Sequence, residues 1–302
     1  MNDGVLAIGS QPQESLNQEN NHSSESINGD FNGLVNRLEK FAKELRRDVV
    51  QMIGKAGSGH PGGSLSSADI LAVLYGHVLC HKPADPSWPD RDRFILSKGH
   101  AAPIQYAALA ETGYFPKDVL WTLRQYGSIL QGHTDSTMTP GVEMSAGSLG
   151  QGLSFGIGCA LAARLSNKDY RVHVLLGDGE CQEGQVWEAA MSAANFGLDN
   201  LVAVIDRNNQ QNDNWVHLTQ HVKPLGEKWE AFRWNVIHTN GHSVADLLRA
   251  FDNAKTLKDR PTVIIGDTVK GKGVSFIENN LDFHGKAPSK EQVELALVEL
   301  AD

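Results

Sequence analysis

The stretch from residue 172 to residue 211 leaves this chain little freedom in how it folds. It opens with an apolar run, Val172-His173-Val174-Leu175-Leu176, that leads into Gly177-Asp178-Gly179. The spacing then predicts a helix over about 182–196. A second apolar run, Leu201-Val202-Ala203-Val204-Ile205, gives way to Asp206-Arg207-Asn208-Asn209-Gln210. Strand, glycine turn, helix, strand and polar turn in that order read as a βαβ unit of a parallel sheet. Further strand candidates at 93–96, 235–239 and 261–269 alternate with helical segments. The expected class is therefore α/β, a doubly wound and mostly parallel sheet with helices on both faces.

Asp178 and Asn208 fall just past the ends of the two central strands. Neighbouring parallel strands end on one edge, so these side chains can converge there. A carboxylate oxygen, an amide oxygen and a backbone carbonyl form an oxygen half-shell of the kind Mg²⁺ or Ca²⁺ takes, and substrate phosphates usually complete the Mg²⁺ sphere. The glycines beside Asp178 allow backbone to approach a phosphate, and the next helix offers its first amides. Gly-Asp-Gly also suits an unspecialised strand-to-helix turn. A nicotinamide-binding turn would want G-x-G-x-x-G, whereas Gly184 comes two residues late.

Elsewhere the pattern is readable in order. Residues 1–32 are rich in Asn, Gln, Ser and Glu and carry no Lys or Arg, which predicts a disordered tail before a domain over 33–302. Leu38, Phe41, Leu45, Val49, Met52 and Ile53 have helical spacing. Gly57-Ser58-Gly59-His60-Pro61-Gly62-Gly63 should be loop. Ser66 and Asp69 suggest a cap for a helix ending near Leu79. An Ala-rich helix is expected over 101–111, loop from 127 to 152, and an Ala/Gly-rich helix up to about Leu165. A short helix is expected at 227–232. Asn240-Gly241-His242-Ser243 should cap a helix to Leu257, and the chain should close with a helix from Glu291.

Of 12 histidines, His60, His100, His133 and His284 each neighbour a glycine in a predicted loop at the end of an element. Loops at that edge of a parallel sheet gather around the ligand crevice. Histidines there can hydrogen-bond phosphate or hydroxyl groups and move protons near neutral pH. His77, His81, His217, His221, His238 and His242 lack that context.

These motifs together resemble the transketolases. The match rests on Lys55-Ala56-Gly57-Ser58-Gly59-His60-Pro61-Gly62-Gly63-Ser64, Ser97-Lys98-Gly99-His100-Ala101, and Gly147-Ser148-Leu149-Gly150-Gln151-Gly152. It continues through Gly177-Asp178-Gly179-Glu180-Cys181-Gln182-Glu183-Gly184, Asn208-Asn209, Thr268 to Val274, and His284-Gly285-Lys286-Ala287-Pro288. The resemblance implies thiamine diphosphate and Mg²⁺ (or Ca²⁺) as cofactors, with Asp178, Asn208 and the backbone carbonyl of Gln210 holding the metal. Gly147, Leu149, Gly150, Gly177 and Gly179 would face the diphosphate. His60, His100, His133 and His284 would line the path to the thiazolium ring and touch sugar or diphosphate. Glu183 would join a carboxylate network between two active sites, or simply be an acid favoured by a helix N-terminus.

The family's pyrimidine-binding and C-terminal domains are not recognisable in these 302 residues. The resemblance thus implies the N-terminal subunit of a split transketolase, moving a two-carbon ketol unit from a ketose (or its phosphate) to an aldose or related acceptor. A partner chain would carry the other domains, in an expected α₂β₂ assembly. Alternatives are a component of a related thiamine diphosphate synthase or specialised two-carbon transferase, a degenerate non-catalytic chain, and a nicotinamide-binding domain. Thr134-Asp135 after His133, and Phe283 before His284, depart from the family's common Pro-Glu and Trp. The net charge of −9 argues against nucleic acid as a main partner. No apolar run approaches a membrane span of roughly 20 residues. Three dispersed cysteines and no signal-peptide pattern lead us to expect a cytoplasmic protein.

Overall fold

A computed structural model describes residues 16–301. The chain divides into two units, residues 1–37 and 38–302. In order, the elements are helices α1 (Leu16–Ala56), α2 (Pro61–Ser66) and α3 (Ala68–Val73), a π turn, strand β1 (Arg93–Leu96), α4 (Ala102–Glu111) and α5 (Gln151–Leu165). The chain continues through β2 (Val172–Gly177), α6 (Gly184–Asn195), β3 (Leu201–Arg207), α7 (Val216–Thr219), α8 (Leu225–Ala231), β4 (Asn235–Asn240), α9 (Val244–Thr256), β5 (Thr262–Asp267) and α10 (Lys290–Glu299).

The strands form one parallel sheet in the order β1-β2-β3-β5-β4. Apart from His173, Asp206 and the terminal Arg207, its two central strands are apolar, because both faces are covered, as parallel sheets require. Val172, Val174, Leu176, Leu201, Ala203, Ile205, Val263 and Ile265 pack into one core with α5, α6 and α8, where Trp229 is the largest side chain. The expected α/β class is the observed one. The two edge strands differ: β1 is short, with four residues, whereas β4 has six and is partly exposed and polar at His238, Thr239 and Asn240.

Three local readings change. The polar tail expected through residue 32 lies outside the described residues only up to residue 15; from Leu16 its backbone is already part of α1. No proline interrupts residues 16–33, and an interior glycine such as Gly29 costs a helix only about 1 kcal/mol. The 57–63 loop ends early because Pro61, pre-set for the first helical position, opens α2. Ser66 does not cap a helix. Its hydroxyl donates to the Gly63 carbonyl at 3.2 Å and to buried Asp206 at 2.6 Å. The later cap holds: the Ser243 hydroxyl accepts from the Asp246 amide at 3.2 Å.

His173 sits within β2 at 2% exposure, and neither ring nitrogen has a partner in the protein. Burial, helped by the charges of Arg171 and Lys255, lowers its pKa to about 3. Since the unfolded value is near 6.5, the unfolded chain takes up this proton first. Stability from this site is full above about pH 6.5 and falls as pH drops toward 3. Between pH 6.5 and 5 the loss is on the order of 2 kcal/mol. His173→Leu should therefore lose less stability than the native chain over that interval in urea unfolding; an unchanged pH dependence would contradict this.

Candidate functional site

The end of β3 organises the site. Asp206 follows five buried apolar residues and stands in register with Gly177 on one side and Gly266 on the other. It has no exposed surface. Its carboxylate accepts from Lys98 Nζ at 2.5 Å, the Ser66 hydroxyl at 2.6 Å, Asn208 Nδ2 at 3.0 Å, the Ser67 hydroxyl at 3.4 Å, and the Thr268 hydroxyl. Burial alone would raise its pKa, but the charge and hydrogen bond of Lys98, with the hydroxyls, outweigh burial and hold it below the usual range. Lys98, 1% exposed, also donates to the Gly63 carbonyl at 2.8 Å. Segments distant in sequence are thus joined at one charge.

That network orients Asn208. Its amide nitrogen is committed to Asp206, so its oxygen lies on the other side, where it accepts from the Gln210 amide at 3.0 Å. Asp178, at the end of β2, accepts from the Gly179 amide at 2.9 Å on one oxygen and the Asn209 amide at 2.8 Å on the other. Burial first, and then the charge of Asp206, push its pKa up to about 7 against the pull of those amides and Lys270. A carboxylate in that state gains from a nearby cation.

Asp178 and Asn208 line a cavity of about 200 Å³. Lys98, His100, Leu149, Gly177, Gly179, Glu180, Glu183, Gln210, Lys270 and His284 also border it. Of the other expected residues, Gly147 and Gly150 do not line it, Gly147 being exposed beside His133 and Gly150 buried, and Glu183 is an exposed wall residue. A larger, shallower groove of about 640 Å³ beside Met191, Phe196 and Phe232 has Arg233 as its one charged lining residue. The charged groups converge on the smaller cavity, which makes it the candidate site.

The four loop histidines do meet. His60 lies 5.4 Å from His100, 6.0 Å from His133 and 5.6 Å from His284 between ring centroids, and His100 lies 5.2 Å from His284. Burial, followed by neighbouring positive charge, lowers His60 to about 4 and His284 to about 3. The same causes place His100 well below its ordinary value and lower His133. Neutral imidazole offers one donor and one acceptor, which suits hydroxyl groups. His60 Nδ1 is buried and has no partner in the protein.

Two cations, Lys98 and Lys270, and two carboxylates, Asp206 and Glu180, are not marked as site residues by the sequence. Lys270, 2% exposed, approaches His284 Nδ1 at 2.7 Å and donates to the Gln211 carbonyl at 3.3 Å. Burial and Lys98 lower its pKa to about 8. The segment carrying Lys270 is held by Arg46, which donates to the Lys272 carbonyl at 3.1 Å and pairs with Asp69. His242 joins them, 2.7 Å from Asp69 and accepting from the Val269 amide at 2.8 Å. Glu180 is buried beneath the glycine turn, and burial raises its pKa against three hydrogen-bond donors. A signal existed for Asp206 and Glu180: acids directly beside an all-apolar strand or its glycine turn have no water to face.

Among the described residues no three His, Cys, Asp or Glu side chains form a metal cage. What converges instead is one carboxylate and one amide oxygen, a partial sphere that fits a hard cation shared with phosphate oxygens. Two lysines on the same cavity suit an anion there. The side chain of Gln210, 4% exposed, has no partner in the protein at either end, so polar capacity is left for a ligand.

Residues 38–300 match the family described as transketolase, thiamine diphosphate binding domain. The chain belongs to the transketolase family. It is 42% identical over 263 residues to a 6-deoxy-6-sulfo-D-fructose transketolase subunit of Clostridium sp., covering 87% of this chain and 96% of that one. It is 39% identical to an apulose-4-phosphate transketolase subunit of Phocaeicola vulgatus, over 89% and 95% of the two chains. Human transketolase is 42% identical over 87% of this chain but 42% of its own length. The transketolase structure from Leishmania mexicana aligns with a TM-score of 0.84 at 33% identity, over 87% of this chain and 41% of that one. The chain is an N-terminal transketolase subunit, a transferase, and it covers nearly the whole length of relatives named as subunits.

Removing one partner of a buried ion pair leaves the other charge without compensation, at a cost of about 3–5 kcal/mol. Asp206→Asn should destabilise this transketolase chain by that order in urea unfolding. Adding Lys98→Met should recover part of the loss, and additive effects would contradict the pairing.

Proposed function

We propose that this chain holds the diphosphate end of thiamine diphosphate through Mg²⁺ (or Ca²⁺), in an enzyme that moves a two-carbon ketol unit from a ketose or ketose phosphate to an aldose. The observation that carries this reading is the convergence of Asp178 and the oriented oxygen of Asn208 with Lys98 and Lys270 on one cavity. Asp178, Asn208 and the Gln210 carbonyl hold the cation. Lys98, Lys270 and the Gly179 amide oppose the negative charge of the diphosphate, with the Gly147, Leu149, Gly150 and Gly177 segments as walls. Bound there, the cofactor supplies the carbanion stabilisation that ketol transfer requires.

His60, His100, His133 and His284 bind and orient the sugar. As neutral rings they donate to one hydroxyl and accept from another, so that a proton taken at one ring nitrogen is released from the other and no net charge remains on the ring. Glu183 belongs to a carboxylate network reaching a second active site. A separate chain carries the pyrimidine-binding and C-terminal domains, in an α₂β₂ assembly; the match over 96% and 95% of the length of two relatives named as subunits supports this. We place the assembly in the cytoplasm. Among the described residues no helix is long and apolar enough to cross a membrane.

Two measurements test the proposal. This chain alone should show no robust ketol transfer, and activity should appear when the partner is added; activity without a partner would refute the division of labour. In the reconstituted assembly, Asp178→Ala should abolish Mg²⁺-dependent binding of thiamine diphosphate by calorimetry. Unchanged affinity and unchanged metal requirement would refute the assigned site.

A further inference from the structure

We infer that Glu180 is the positioning residue that fixes the width of the diphosphate cavity by clamping the 147–152 segment to the ends of β1 and β2. The inference rests on the reading of that cavity as a thiamine diphosphate site. Glu180 is 3% exposed, and its carboxylate receives hydrogen bonds from three segments. One oxygen accepts from the Gly150 amide at 2.9 Å and from the Ser97 hydroxyl. The other accepts from the Gly177 amide at 3.0 Å. Ser97 extends the clamp, because its oxygen accepts from the Gly152 amide at 3.1 Å.

The two walls of the cavity are thereby tied through one side chain. Leu149 lines one wall, next to Gly150; Gly177, Asp178 and Gly179 line the other. The segment has no slack elsewhere. Gly150 has φ of +81°, and a Cβ there would stand 2.8 Å from the Glu183 Cβ. A Cβ on Gly152 would stand 2.4 Å from the Ser97 Cβ.

The clamp needs a carboxylate. All three groups facing Glu180 can donate, so both of its oxygens must accept. A glutamine matches only one end. Whichever way its amide turns, an NH₂ faces a backbone N–H, of Gly150 or of Gly177. The cost is an unmade buried hydrogen bond together with outward displacement of one wall. Glu180 therefore acts through Leu149 and the glycine turn.

Two readouts on the native protein, Glu180→Gln and Ser97→Ala test this. In hydrogen exchange on the full chain without cofactor, Glu180→Gln should lower protection of the Gly150 and Gly152 amides by tenfold or more. Ser97→Ala should lower Gly152 more than Gly150. In the assembly with its partner chain, calorimetry at saturating Mg²⁺ should show thiamine diphosphate bound about tenfold more weakly to Glu180→Gln. Turnover at saturating cofactor should stay within about threefold of native, so the loss lies in the KM for cofactor. Should Glu180→Gln fail to fold, Ser97→Ala, which keeps the carboxylate, decides with a smaller loss in the same direction. Native-like protection and cofactor affinity within twofold of native in the folded variants would overturn the proposal. A native assembly that binds no thiamine diphosphate would overturn the reading of the cavity, and this inference with it.

Discussion

A single buried charge pair, Asp206 with Lys98, sets the terms for the rest of the molecule. An ion pair in so dry a place is tolerable only if the remaining lone pairs and protons are used, since desolvation otherwise exceeds the Coulombic gain. Here they are used by hydroxyls from Ser66, Ser67 and Thr268, the amide of Asn208 and the carbonyl of Gly63. Satisfying the charge therefore draws α2 and the exits of β1, β3 and β5 to one point. The same groups decide which end of Asn208 is oxygen. Stability and ligand chemistry share one set of contacts.

Much of the fold was legible because parallel strands covered on both faces must be apolar runs, and 172–176 and 201–205 are almost nothing else. Asp178, Asn208 and the four histidines were legible for a related reason: they sit in turns, most of them punctuated by glycine, where backbone can approach a ligand. The linkages beneath them were not. Ser66 has the spacing of a helix cap, yet a buried carboxylate from a distant strand is the better acceptor. Asp69 reads as that cap's partner, while the structure pairs it with Arg46 and His242. His242, which follows Gly241 in the turn before α9, anchors the segment of Lys270 through Asp69 and the Val269 amide. Hydroxyls and charges choose partners by three-dimensional proximity, and local spacing does not encode that. The helical backbone between Leu16 and residue 32 is not legible in its polar composition, because a polar stretch without proline suits helix and coil alike.

The cavity's electrostatics follow from crowding. Lys98 and Lys270 share it with histidines that burial has already made reluctant to charge, so positive charge is confined to the lysines. Asp178 is in the opposite position, crowded by Asp206 and short of compensation. The cavity thus combines both kinds of imbalance, an excess of donors on one wall and an under-stabilised carboxylate on the other. The proposed diphosphate with its divalent cation would relieve both.

The sheet's borders have a separate effect. A strand edge with long, flat, apolar sequence is a template on which other copies can nucleate. Here one border is cut to four residues and the other ends in His238, Thr239 and Asn240. Strand-by-strand stacking into fibrous aggregates is thereby discouraged, and a crowded solution of this protein has little backbone on offer for mispairing.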